Sequence, residues 1–85
     1  MSILEELEKF MVTEVAIDTD KKSISPDEDL LDQRILDSLG IMKLAVFLEK
    51  TYDIEVADED IVPENFQNLN IMAKFVETKI KNKHP

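Results

Sequence analysis

In Asp37-Ser38-Leu39-Gly40 a hydroxyl stands between a carboxylate and a large aliphatic side chain, where a polar, acidic stretch gives way to an apolar one. Two kinds of chemistry are open to it. Serine and aspartate are both preferred helix caps. A helix N-terminus also presents unpaired amide donors and a partial positive charge, so a hydroxyl there is well placed to carry a phosphodiester. Capping alone explains neither the leucine directly after the serine nor the extra apolar stripe that begins with it. A nucleophilic enzyme would need a base and an oxyanion loop. The single histidine, His84, is one residue from the chain end, and the residues before Ser38 lack the first glycine of a Gly-x-Ser-x-Gly elbow. The expectation is that the chain is not an enzyme.

Other chemistry is poorly provided for. There is no cysteine, which removes disulfides, thiolate metal sites and cysteine nucleophiles together. Asp18, Asp20 and the acidic triplets at 27–29 and 58–60 lack the glycine and terminal glutamate of an EF-hand loop, and Lys21 and Lys22 intrude on the first. No metal site is expected.

The elements that must position Ser38 read as helices. Ser2 can cap a first helix of about four turns in which Ile3, Leu4, Leu7, Phe10, Met11 and Val15 recur at helical spacing, with Glu5, Glu6 and Glu8 near its positive end. Residues 18–37 show no apolar periodicity and read as a long loop with one turn at Pro26-Asp27-Glu28-Asp29-Leu30-Leu31-Asp32. From Ser38 to Tyr52 the pattern is helical, with Ile41, Leu44, Ala45, Leu48 and Tyr52 on one side and Leu39, Met42 and Val46 on another. One helix of a small core does not need both stripes. A short helix is predicted around Asp58 to Glu64, and Asn68 caps a last helix whose Leu69, Met72, Ala73, Val76 and Ile80 share a face. Three main helices and one short one, with a long loop between the first and second, predict an all-α small four-helix bundle forming a single domain over 1–85.

Hydrophobic residues make up 44% of the 85, too many for a disordered chain. The net charge of −9 argues against nucleic acid partners and for partners with basic patches. The acid is not evenly spread: 18–37 and 53–65 carry −4 and −6, whereas 38–52, with Lys43 and Lys50 against Glu49, carry +1. The longest apolar run, Leu44 to Leu48, is far short of a membrane span, and acids occupy the first ten residues where a signal peptide would carry Lys or Arg. A cytoplasmic monomer is expected.

The chain resembles the acyl carrier proteins. The resemblance rests on Asp37-Ser38-Leu39, similar to the family's Asp-Ser-Leu attachment motif, and on the stretch from Leu44 to Ile61, similar to the family's apolar helix followed by an aromatic residue and an Ile-x-Val-x-Asp-Glu segment. It extends from the first helix through Asn68 to Ile80. It implies that Ser38 receives the 4'-phosphopantetheine arm of coenzyme A from a phosphopantetheinyl transferase, with Asp37 and Leu39 helping the transferase to recognise the site. The arm's thiol would then hold acyl groups as thioesters, loaded by a ligase or synthase and passed to acyltransferases with basic docking patches. Leu44 and Ile61 would line an acyl cavity gated by the short helix. Leu39, Met42, Lys43, Val46, Glu49, Asp58, Glu59 and Asp60 would meet partner enzymes.

Two residues depart from the family pattern. Gly40 and Lys43 stand where carriers of fatty acid synthesis usually have acids. Reversing charge at a docking rim changes partner choice more than fold. The reading is therefore a specialised carrier of fatty acyl, lipid or secondary-metabolite intermediates, with a carrier of aminoacyl groups loaded by an adenylating ligase as the alternative. From another class, a helical interaction module without a prosthetic group would use the same exposed stripe. Gly40 also costs a helix about 1 kcal/mol relative to alanine, which predicts a looser helix start at Ser38.

Overall fold

The Glu5 N–H donates to Ser2 Oγ at 3.1 Å, and from this cap helix α1 runs over Ile3–Phe10. It then widens into a π-type turn over Met11–Val15. The computed structural model describes residues 2–15, 23–33 and 35–83. Asp18, Asp20, Lys21 and Lys22, weighed above as a cation loop, lie outside the described residues. Helix α2 spans Ser38–Tyr52 and ends at Asp53, whose left-handed backbone (φ 53°) is tolerated by aspartate better than by most residues. Helix α3 spans Leu69–Lys83, opened by Asn68, whose Oδ1 accepts the Ile71 N–H at 2.8 Å.

The single short helix expected around 58–64 is two separate 3₁₀ turns, Asp58–Asp60 and Pro63–Asn65. Val62 between them is extended, and Pro63 has no N–H with which to continue a helical ladder. No strand occurs among the described residues, and no described helix is long and apolar enough to cross a membrane. Among the described residues the fold is an all-α bundle of three helices with two short 3₁₀ turns.

Its core takes Leu7 and Met11 from the first helix and its π turn, Leu44 and Leu48 from α2, and Leu69, Met72 and Val76 from α3. The connections contribute as well. Ile24, Leu30, Ile35, Leu36 and Phe66 are buried, so the stretch that lacks helical periodicity is still a structural part of the core. Burying a side chain of this size stabilises by roughly 1.5–3 kcal/mol, which in a chain this small is a large share of the total.

Leu30 anchors that stretch. Its side chain is fully buried, its N–H donates to the Gln67 carbonyl at 2.8 Å, and its own carbonyl accepts the Ile35 and Leu36 N–H groups at 2.9 and 3.1 Å. Pro26 O accepts the Asn70 N–H at 3.2 Å, and Asn70 Nδ2 donates to Asp27 Oδ1 at 2.7 Å. The approach to Ser38 is thus fastened to the start of α3.

Candidate functional site

Ser38 is the first residue of α2 and is exposed. Asp37 does the capping. Its Oδ1 accepts the Gly40 N–H at 2.8 Å and its carbonyl accepts the Ile41 N–H at 2.9 Å, so the helix start is closed without the serine hydroxyl. Of the first N–H groups of α2, those of Gly40 and Ile41 are taken by Asp37, whereas those of Ser38 and Leu39 have no carbonyl a turn earlier within the helix. An exposed hydroxyl that the cap does not need, at the positive end of a fifteen-residue helix, suits a phosphodiester. These residues fit a phosphopantetheine arm.

Gly40 is buried beneath this site. A β-carbon on it would lie 2.7 Å from Leu36 Cδ1 and 2.9 Å from Val15 Cγ1, both closer than carbon atoms pack. The expectation of a looser helix start is therefore replaced by its converse. The missing side chain lets the first turn of α2 close against the end of the first helix.

The second apolar stripe of α2 faces solvent: Leu39, Met42 and Val46 are 64, 52 and 47% exposed. Beside it, between α1 and α2, runs an open groove of about 590 Å³. Met42, Val46, Phe10 and Phe47 form its apolar wall, with Lys43 and Lys50 among the lining side chains. Phe10 and Phe47 stack with ring centres 4.2 Å apart, and Phe47 meets Tyr52 edge-on at 6.3 Å. The Tyr52 hydroxyl donates to Glu6 Oε1 at 2.9 Å; burial, reinforced by that carboxylate, holds the phenol well above its ordinary pKa.

The acids expected to dock partners divide into two groups. Asp58 and Glu59 are exposed. Glu49 Oε2 accepts the Val56 N–H at 3.0 Å, which turns the only acid of α2 towards the segment that follows it. Asp60 Oδ2 accepts the Ala57 N–H at 3.0 Å and pairs with Lys79 at 2.6 Å, and the Lys79 ammonium holds its carboxyl below the ordinary value. Glu49 and Asp60 thus have internal structural partners. Lys43 Nζ lies 3.5 Å from the Glu14 carbonyl, over the end of the first helix.

Leu44 is fully buried in the core and Ile61 is half-buried. Neither lines the groove between α1 and α2. Phe10, Phe47 and Lys50 were not among the site residues anticipated from sequence. Lys50, seven residues after Lys43 and so two turns along the same helix, was the signal available for that side.

A family model described as "Phosphopantetheine attachment site" matches residues 4–76. The chain is similar to the acyl carrier protein of Brachyspira hyodysenteriae, 30% identical over 77 residues that cover 91% of this chain and 95% of that one. It is 28% identical over 81 residues to the acyl carrier protein of Bdellovibrio bacteriovorus, covering 95 and 99% of the two chains. A D-alanyl carrier protein of Streptococcus pyogenes is 37% identical over 51 residues, 60% of this chain and 65% of that one.

Proposed function

Since the chain belongs to the acyl carrier proteins that bear covalently attached 4'-phosphopantetheine, we propose that Ser38 is its attachment residue and 1–85 a single carrier domain. The observation that carries this is the division of labour at the start of α2, where Asp37 closes the helix and leaves the exposed Ser38 hydroxyl to a phosphopantetheinyl transferase. When bound, the arm supplies a thiol that holds acyl groups as thioesters. This chain's own residues seat its phosphate at the helix N-terminus and present Leu39 beside it. Asp58 and Glu59, exposed and without the partners among the described residues that hold Glu49 and Asp60, are the acids suited to enzymes with basic patches.

The test is mass spectrometry of the purified chain after incubation with coenzyme A and a permissive transferase. One phosphopantetheine should map to the peptide containing Ser38, and Ser38→Ala should stay unmodified with an unchanged circular dichroism spectrum. Modification elsewhere, or of the Ala variant, would overturn the assignment.

The cargo reading is a specialised acyl carrier in lipid or secondary-metabolite synthesis, resting on Lys43 and on the absence of a free acid along α2. The alternative, an aminoacyl carrier loaded by an adenylating ligase, has the resemblance to D-alanyl carrier proteins in its favour. Presenting the holo chain with ATP and either an acyl or an amino acid ligase separates the two by the mass of the thioester formed.

A further inference from the structure

We propose that the groove between α1 and α2 docks an amphipathic helix of a partner protein whose apolar side chains are flanked by carboxylates about two helical turns apart. The proposal deepens the carrier reading by naming a class of partner that the acidic composition does not suggest. It rests on the groove's chemistry and is independent of whether Ser38 accepts the arm.

The groove is apolar along Phe10, Met42, Val46 and Phe47, and Met42 and Val46 remain about half exposed. Its charged lining residues are Glu14, Lys43 and Lys50, two cations to one acid in a chain of net charge −9. The acid of α2 that would have offset them, Glu49, is turned away and held by the Val56 N–H. Glu6, one turn before Phe10 on α1, is held by the Tyr52 hydroxyl. Two internal hydrogen bonds therefore leave this face apolar and locally cationic in a chain whose net charge is −9.

Complementarity then specifies the occupant. A shallow trough between two helices takes the apolar face of a third helix through anchors at three- and four-residue spacing. Lys43 and Lys50 are separated by seven residues, about 10 Å along the helix axis. A partner helix lying along α2 meets both lysines with acids seven residues apart. A partner presenting lysines there would meet like charge, which disfavours it.

The test uses the unmodified 85-residue chain as bait for a displayed library of eighteen-residue helical peptides (roughly five turns). The apolar positions are fixed, and Glu, Gln or Lys is allowed at two sites seven residues apart. Selection should enrich Glu at both sites. The resulting peptide should perturb the amide resonances of Met42, Val46 and Lys50, and its affinity should fall about tenfold or more with Lys50→Glu, a variant that disturbs no hydrogen bond. The double variant Lys43→Glu/Lys50→Glu should enrich Lys instead. Absence of any enriched peptide, indifference to charge, or enrichment of Lys by the parent chain would overturn the proposal. So would lysine-dependent cosedimentation with phosphatidylserine vesicles in place of peptide binding, which would make this face a lipid contact. A peptide that binds a chain whose Ser38 proves unmodifiable would leave the docking proposal standing and the attachment proposal overturned.

Discussion

Val15 and Gly40 meet where the first helix ends and α2 begins, so closely that a β-carbon on Gly40 would stand 2.9 Å from Val15 Cγ1. Alanine is ordinarily the better helix former, by about 1 kcal/mol. Here it must displace a stiff β-branched side chain and the end of Leu36, an overpacking that costs roughly 1–3 kcal/mol. Gly40→Ala should therefore lower stability by about 1 kcal/mol, the difference between those two effects. Val15→Ala in the same chain should recover part of the loss, with a coupling of at least about 0.5 kcal/mol in a urea-denaturation cycle. A Gly40→Ala chain as stable as the parent would mean that the contact relaxes freely.

The cap that Asp37 makes can be separated from any charge it offers a transferase. Asp37→Asn retains an oxygen for the Gly40 N–H and should change stability little, whereas Asp37→Ala loses the cap and should cost about 1 kcal/mol. If the carboxylate also guides the transferase, Asp37→Asn should slow modification of Ser38 in a timed mass-spectrometric assay while the melting curve stays put. Equal rates for the parent and the Asn variant would confine Asp37 to capping.

Asp60 links the 3₁₀ turn to α3 through Lys79. The hydrogen bond from Lys79 lowers its folded pKa, so the unfolded chain binds a proton first as pH falls. The stabilisation is fully present above the unfolded carboxylate range and is lost as pH drops below about 4 towards the lower folded value. Lys79→Met should lower stability at pH 7 and flatten its loss across that acid window. Urea midpoints measured between pH 2 and 7 would show it, and an unchanged slope would mean that the pair contributes nothing.

Much of the fold was legible because its signals are local. Ser2, Asp37 and Asn68 are caps by residue type, and the two stripes of α2 follow from helical spacing alone; both appear as expected. Three features depend on contacts that helical spacing does not show. Ile24 and Leu30 are core residues without periodicity because they are placed by bonds to Glu8 and Gln67 respectively and by packing, not by a helix of their own. Gly40 reads as a weak helix residue until Val15 is brought over it. Glu49 and Asp60 read as surface acids like Asp58 and Glu59, and only the chain returning past them reveals their partners. The split of the one short helix expected around Asp58 to Glu64 falls at Val62, where Pro63 has no N–H to continue the ladder.

The bonds made by Leu30 reach further than the loop they fold. Through one backbone unit the start of α3 is tied to Leu36, two residues ahead of Ser38. The serine is consequently registered against α3 as well as against its own helix, like a mast stepped on one hull and stayed to another. A shift of the segment that leads into α3 would therefore be carried through Leu30 to the residues just before α2.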